Sequence, residues 1–286
     1  MRLGIWPSTG RSWDEILDLA RHCEATGWDS VYLADHFMPH GEITPDVDLR
    51  VPVDGDRLEC WSVLAALAAS VPRVRLGTLV SSVTFRHPAV LANIAAAIDN
   101  VSGGRLVLGV GAGWQENEHV AYGIELGTLR ERFDRFEEAC EIVSSLLREK
   151  RTTFHGRYYD ITDAPNQPVP VQARLPLLIG GGGEKRTLPI AARYADEWNY
   201  WSTPEVLAQK IQVLHRECEA IGRDPAEIQV STQPYTRTIT GTPAEIHGIL
   251  EQFHDAGADE LILPDVMQPL AEFKDACDLV MAGAAR

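Results

Sequence analysis

Val74 to Val110 reads VRLGTLVSSVTFRHPAVLANIAAAIDNVSGGRLVLGV, and the punctuation of this stretch decides the fold. Val74–Ser81 is a short apolar run. Pro88–Val101 repeats apolar residues at helical intervals behind an opening proline, and Arg105–Val110 is a second apolar run after Gly103-Gly104. Proline suits the first position of a helix and glycine the position just past its end. Two strands apolar on both faces, with a helix between them, predict a parallel pair covered on both sides, because parallel neighbours need a crossover connection.

The same unit recurs in both directions along the chain. Upstream, Leu3–Trp6 and Ser30–Ala34 read as strands. Trp13–Thr26 is a helix with Ser12 as N-cap and Gly27 at its end, and Trp61–Ser70 is another. Between them His36–Leu58 is long, irregular and rich in Pro, Asp and Gly. Downstream come the helix Leu129–Glu149, a hairpin over Thr153–Ile161 turning at His155-Gly156, and a proline-rich connector. Pro176–Ile179, Glu197–Tyr200, Glu227–Thr232 and Glu260–Leu263 then read as strands. They alternate with helices over Arg186–Tyr194, Pro204–Ile221, Pro243–Ala256 and Leu270–Met281. Eight strand-then-helix units within 286 residues predict a closed (β/α)₈ TIM barrel rather than a doubly wound open sheet. The expected organisation is one domain over residues 1–286, with insertions after strands two and four and before strand five. Insertions on the catalytic face usually shape a pocket or a lid.

The formal net charge of -15 argues against a nucleic-acid partner and against an anionic membrane surface, since both are met with Lys and Arg fields. Cys23, Cys60, Cys140, Cys218 and Cys277 are scattered and contain no C-x-x-C pair, which fits core thiols in a reducing compartment. The opening MRLGIWPSTG lacks the apolar core of a signal peptide, and no run approaches the roughly 18 apolar residues of a membrane span, so a cytoplasmic location is expected.

The chemistry-bearing residues follow the strands. Strand two ends in Asp35-His36, a carboxylate and an imidazole directed at the barrel mouth, with His36 able to donate a proton or polarise a reacting group. Strand three runs into Ser82, whose small side chain leaves room for a flat ring. Strand four ends Gly109-Val110-Gly111-Ala112-Gly113-Trp114, without dinucleotide-fingerprint spacing, and suits close backbone packing beside a ligand. After strand five, Gly180-Gly181-Gly182-Gly183 opens a helix and suits an anion cradle built from main-chain N–H groups, with Arg186 and Thr187 as helpers. Trp6, Phe37, Trp114, Trp198 and Trp201 fall near strand ends as walls of a substrate pocket. The histidines show no ligand-like clustering, so no metal is expected.

Jointly, Leu33-Ala34-Asp35-His36-Phe37, Thr84-Phe85-Arg86-His87-Pro88, Gly104-Arg105-Leu106, Gly109 to Trp114, Asn117-Glu118, the glycine run and Ala195-Asp196-Glu197-Trp198-Asn199 make the chain resemble the bacterial luciferase-like family of flavin and deazaflavin oxidoreductases. The resemblance is strongest to its coenzyme F420-dependent branch. It implies a ring stacked over a bulge in strand three, often formed around a non-prolyl cis peptide, which alignment places at Leu79-Val80 with Ser82 beside it. It further implies Asn117 as a cofactor contact, the glycine run as the phosphate loop, and Asp35 and His36 beside the reactive ring face. The sugar-phosphate dehydrogenase branch carries an acidic glutamate where this chain has Trp114, and its substrate-phosphate lysines have no secure counterpart here. That substrate is therefore not expected, and the general acid stays open between His36 and Glu116. The implied activity is hydride transfer between F420 and a small organic substrate, in a homodimer. The alternatives are an FMN-dependent monooxygenase and a non-catalytic flavin-binding protein.

Overall fold

A computed structural model describes residues 1–40, 50–235 and 239–285. Its main sheet contains β1 (Arg2–Trp6), β2 (Ser30–Leu33), β3 (Arg75–Thr78), β4 (Ser81–Ser82) and β5 (Leu106–Gly111), followed after an insertion by β8 (Leu177–Gly180), β9 (Glu197–Asn199), β10 (Gln229–Thr232) and β11 (Glu260–Pro264). All pair in parallel. β1 pairs with β11 at one side and β2 at the other, and the β3–β5 pairing joins the remaining staves into a closed ring. β3 and β4 are two pieces of one stave, so the barrel has the eight staves that the alternation predicted.

The helices form the outer layer: α1 (Trp13–Thr26), α2 (Cys60–Ser70), α3 (Pro88–Ser102), α4 (Glu116–Tyr122), α5 (Leu129–Arg148), α6 (Thr187–Tyr194), α7 (Pro204–Ala220), α8 (Pro243–Asp255) and α9 (Leu270–Ala284). Local chemistry fixes their starts. Ser12 with Glu15, Thr128 with Glu131 and Thr242 with Glu245 form reciprocal capping boxes at α1, α5 and α8, and Pro88, Pro204 and Pro243 occupy first-turn positions. None of these helices is long and apolar enough to cross a membrane.

Period-two alternation divides the apolar residues into two cores. Outward residues such as Ile5, Leu33, Leu76, Leu108, Ile179 and Trp198 pack beneath the helices in the main core. Inward residues Tyr32, Leu79, Val107, Leu178 and Ile262 form a smaller core inside the barrel, with Trp6 and Val80 at its upper edge. Below it, the barrel floor is charged. Arg75 pairs with Glu197 and lies 3.5 Å from Glu260, whose other oxygen accepts from Ser30 Oγ. Gly77 leaves this layer open: a Cβ there would lie 2.7 Å from the Tyr32 ring.

Three differences from the sequence reading have local causes. The third stave is not one run from Val74 to Ser81, because it leaves the ladder between Thr78 and Ser81. The hairpin is longer than Thr153–Ile161, pairing β6 (Arg151–His155) with β7 (Asp160–Pro165), and it turns through Gly156–Tyr159 rather than at His155-Gly156. Glu138 of α5 sets that wider turn by accepting from the N–H groups of Arg157, Tyr158 and Tyr159 at 2.8, 2.9 and 3.2 Å. The insertion after the fourth stave carries α4, which the apolar pattern did not reveal. Of the irregular stretch His36–Leu58, residues 41–49 lie outside the described residues.

Candidate active site

The C-terminal ends of the staves surround a cavity of about 740 Å³. Its base is the step in the third stave, where the Leu79–Val80 peptide is cis and both residues face the cavity. The glycines around it explain how the step fits. A Cβ on Gly111 would lie 2.9 Å from Val80 Cγ2, one on Gly180 would lie 3.0 Å from Val80 Cγ1, and one on Gly109 would run into the Thr78 carbonyl. These inward positions of β5 and β8 are cleared for Val80, so the glycines serve the cavity indirectly.

Beside the step, Ser81 Oγ accepts from Trp61 Nε1 at 2.9 Å and donates to Asp35 Oδ2 at 2.7 Å. Arg86 donates to both Asp35 oxygens, at 2.5 and 3.3 Å, and to Glu59 Oε1 at 2.6 Å. Burial pushes the Asp35 carboxyl up, while Arg86 and the Ser81 hydroxyl oppose that shift. With both oxygens engaged, Asp35 ties the end of β2 to the step and acts as a positioning residue. The resemblance places it with His36 beside the reactive ring face.

His36 lines the cavity, with Nδ1 2.7 Å from Glu118 Oε1. Glu118 is fully buried, and its Oε2 accepts from the Phe37 N–H at 2.7 Å. A carboxylate on Nδ1 sets the ring orientation and leaves Nε2 for the cavity. Trp114 stands edge-on to the His36 ring at 5.8 Å between centroids. Glu116, the other acid candidate, does not line the cavity. It lies two residues before Glu118, about 200° round α4 at 3.6 residues per turn, so only one of the two carboxylates turns inward.

A second chain of polar groups starts at Ser82, which also lines the cavity. Ser82 Oγ is 2.6 Å from Thr84 Oγ1, Thr84 Oγ1 is 2.7 Å from His119 Nε2, and His119 Nδ1 is 2.6 Å from the Gln115 carbonyl. A carbonyl only accepts, so Nδ1 of neutral His119 carries the proton and donates to it, while Nε2 accepts a hydrogen bond donated by the Thr84 hydroxyl. Burial holds His119 below the usual histidine range.

On the opposite rim, Gly180, Gly181 and Thr187 line the cavity, whereas Gly182, Gly183 and Arg186 do not. Gly181 N–H donates to the Asn199 carbonyl at 2.9 Å and is unavailable to a ligand. The N–H groups of Gly182 and Gly183 make no hydrogen bond among the described residues. Gly181 has φ 120°, and a Cβ on Gly182 would run into the Tyr200 ring, so this turn requires its glycines. Arg186 is turned away. Its guanidinium donates to Asp134 Oδ1 at 2.7 Å and lies over the Phe133 ring, so it is no phosphate helper. Thr187 begins α6 beside the open N–H groups, and this donor set fits a phosphate.

The aromatic walls differ in part from the expectation. Trp6, Trp114 and Trp201 line the cavity as expected, Trp201 meeting Trp6 edge-on at 6.0 Å. Phe37 packs away from it against Phe85 and Tyr122. Trp198 is buried in the outer core and holds the glycine turn through Nε1–H to the Gly181 carbonyl at 2.8 Å. Asn117 is also diverted: its Nδ2 donates to the Pro39 carbonyl at 3.0 Å and it lies outside the cavity lining. Among the described residues no group of three His, Cys, Asp or Glu is placed to hold a metal ion. Glu118, His119, Arg57, Gln233 and Asp265 line the cavity and were not singled out in the sequence. Only Glu118 had a local signal, its place in the Asn117-Glu118 pair.

Comparisons with known proteins agree with this architecture. A family model of luciferase-like monooxygenases matches residues 1–245. An F420-dependent glucose-6-phosphate dehydrogenase of Microbacterium testaceum (strain StLB037) is 36% identical over 201 residues, covering 69% of this chain and 56% of its own. The chain spans about half the length of the curated relatives it matches. Among solved structures, an F420-dependent secondary alcohol dehydrogenase in complex with an F420-acetone adduct superposes with a TM-score of 0.83 at 20% identity, covering 99% of this chain and 98% of that one. A monooxygenase of Streptomyces bottropensis gives a TM-score of 0.80 at 21% identity, covering 100% and 99%. At these identities the two structures speak to the fold.

The His119 chain predicts a pH dependence. Because the folded protein binds this proton less readily than the unfolded chain, the contribution to stability is complete above the unfolded value of about 6.5 and declines as pH falls. Urea unfolding of His119→Gln should lose less stability than the parent between pH 7 and pH 5. Equal losses would mean that His119 is not the group responsible.

Proposed function

The chain belongs to the luciferase-like monooxygenase family, and from that premise we propose that it is an oxidoreductase transferring a hydride between coenzyme F420 and a small organic substrate. The observation that carries this reading is the convergence, round one cavity, of the Leu79–Val80 step, the His36–Glu118 pair and Gly180, Gly181 and Thr187, with the open N–H groups of Gly182 and Gly183 next to them in the turn. The F420-dependent activity named for the curated relatives supports it. When bound, the deazaflavin would supply a two-electron centre for the redox step.

The protein's own residues then divide the remaining work. Leu79 and Val80 offer an apolar face to a flat ring, with the Ser82 hydroxyl beside it. Gly182, Gly183 and Thr187 hold the phosphate through short-range donors, which the distant acidic surface does not cancel in physiological salt, where screening acts within about 8–10 Å. Nε2 of His36 holds or delivers the proton that accompanies hydride movement, and Glu118 keeps the ring turned toward it. Glucose 6-phosphate is not the proposed substrate, because Trp114 occupies the place of that branch's acidic residue. A homodimer is part of the reading, on the family resemblance and the exposed Val90 and Val101 of α3. Sedimentation as a monomer at micromolar concentration would count against it.

His36→Ala should lower kcat by about 10²–10⁴-fold, the contribution usual for a general acid–base group, while F420 affinity read by fluorescence quenching changes little. Parallel losses in rate and affinity would make His36 a binding residue instead.

A further inference from the structure

Arg57 belongs neither to the His36–Glu118 pair nor to the glycine turn, yet its side chain lines the same cavity. Its Nη1 donates to Ser8 Oγ at 2.7 Å, a neutral acceptor. The loop around it is pinned: the Leu58 N–H donates to the Thr9 carbonyl at 2.9 Å and the Ser8 N–H to Asp265 Oδ2 at 3.1 Å. The guanidinium is therefore held in place rather than left to sweep through solvent.

Among the described residues its charge has no matching partner. Asp265 and Glu118 are the carboxylates whose field reaches it, and both are committed elsewhere. Asp265 receives Arg11 Nε at 2.5 Å, Arg11 Nη2 at 2.8 Å and the Met267 N–H at 2.8 Å, besides the Ser8 N–H. Glu118 is taken by His36 and the Phe37 N–H. Among the described residues no carboxylate forms an ion pair with Arg57. A guanidinium offers five N–H donors in a fork suited to planar and tetrahedral oxyanions, and among the described residues only Nη1 is engaged, by Ser8. Burial works against its charge, which an incoming anion would relieve.

Position decides which anion. Arg57 lies in the insertion after β2 and its guanidinium is bonded to Ser8 in the loop after β1; in the barrel order β1 stands diametrically across from β8, which leads into the glycine turn, with three staves between them on either side. The two anion-receptive points thus lie on opposite sides of the mouth. We propose that Arg57 binds the oxyanion of the substrate, so that the hydride acceptor or donor is a carboxylate- or phosphate-bearing molecule whose charged end sits on Arg57 and whose reacting carbon lies toward His36. This rests on the hydride-transfer reading above, in which the cofactor's phosphate occupies the opposite rim.

The test uses the whole protein without cofactor and then with F420. Succinate and methylphosphonate serve as anionic probes and succinamide as the uncharged control, followed by calorimetry. The parent should bind the anions and not succinamide, with F420 present as well as absent. Arg57→Met should lose about ten- to a hundredfold in anion affinity, the range of a charge-assisted pair, with F420 affinity and thermal midpoint unchanged. Arg57→Gln in the same assays covers the case in which the methionine variant does not fold. Absence of anion binding by the parent, or equal affinity in the variants, overturns the proposal. Displacement of the probes by F420, with F420 itself weakened in the variants, also overturns it by assigning the site to the cofactor. Failure of F420 to bind the parent would instead remove the hydride-transfer reading, and the cofactor-free titrations keep the two results apart.

Discussion

Everything at the barrel mouth depends on the space that Val80 takes up. Where the third stave leaves its ladder between Thr78 and Ser81, Val80 enters the barrel, and Gly109, Gly111 and Gly180 on the neighbouring staves have no side chains to oppose it. The resulting apolar face closes the top of the inner core of Tyr32, Leu79, Val107, Leu178 and Ile262. Interior packing at protein density leaves little freedom for such a feature to move, so residues fixed to it inherit its position. Asp35 is fixed to it through Ser81 and Arg86, and His36 follows Asp35 in the chain.

The charges fall into two kinds. Arg75 with Glu197 and Glu260 at the floor, Arg86 with Asp35 and Glu59, and Arg11 with Asp265 are paired networks that hold staves and loops together. Buried pairs of this kind contribute little net stability compared with apolar packing, but losing one partner costs about 3–5 kcal/mol by stranding the other. The second kind has bonding capacity left over at the cavity or its rim: His36 at Nε2, Ser82 at the end of its chain and Arg57 in the lining, and the N–H groups of Gly182 and Gly183 just beyond Gly181 and Thr187. This remainder marks a ligand site within a chain of net charge -15.

The barrel was legible because apolar runs and helical periods alternate through most of the chain, the insertion between β5 and β8 apart, and because caps and prolines punctuate them. The step at Leu79–Val80 was legible only through resemblance, since the one punctuating residue in the run Val74–Ser81, Gly77, lies upstream of it in the regular part of the strand. The glycines of strand four were visible, but the residue they accommodate lies about thirty positions upstream, and no pattern in the chain links them. Glu116 and Glu118 are equivalent as letters, and separating them requires the rotation of a short helix that apolar periodicity did not reveal. Trp198, Phe37 and Arg186 were read as facing the ligand because they sit at element ends. Strand alternation sends Trp198 outward, aromatic neighbours take Phe37, and Asp134 takes Arg186. Arg57 escaped notice because a lone arginine in a long irregular segment has no signature until its neighbours' carboxylates are seen to be committed elsewhere.

The central claim is that the Leu79–Val80 step and the glycine turn form one cofactor site, and a crystal structure of the complex with F420 tests it most directly. The account predicts the deazaflavin ring against Leu79 and Val80 within reach of His36 Nε2, with the phosphate accepting from the Gly182 and Gly183 N–H groups beside Thr187. A phosphate seated instead on Arg57, or a ring bound away from the step, would contradict it.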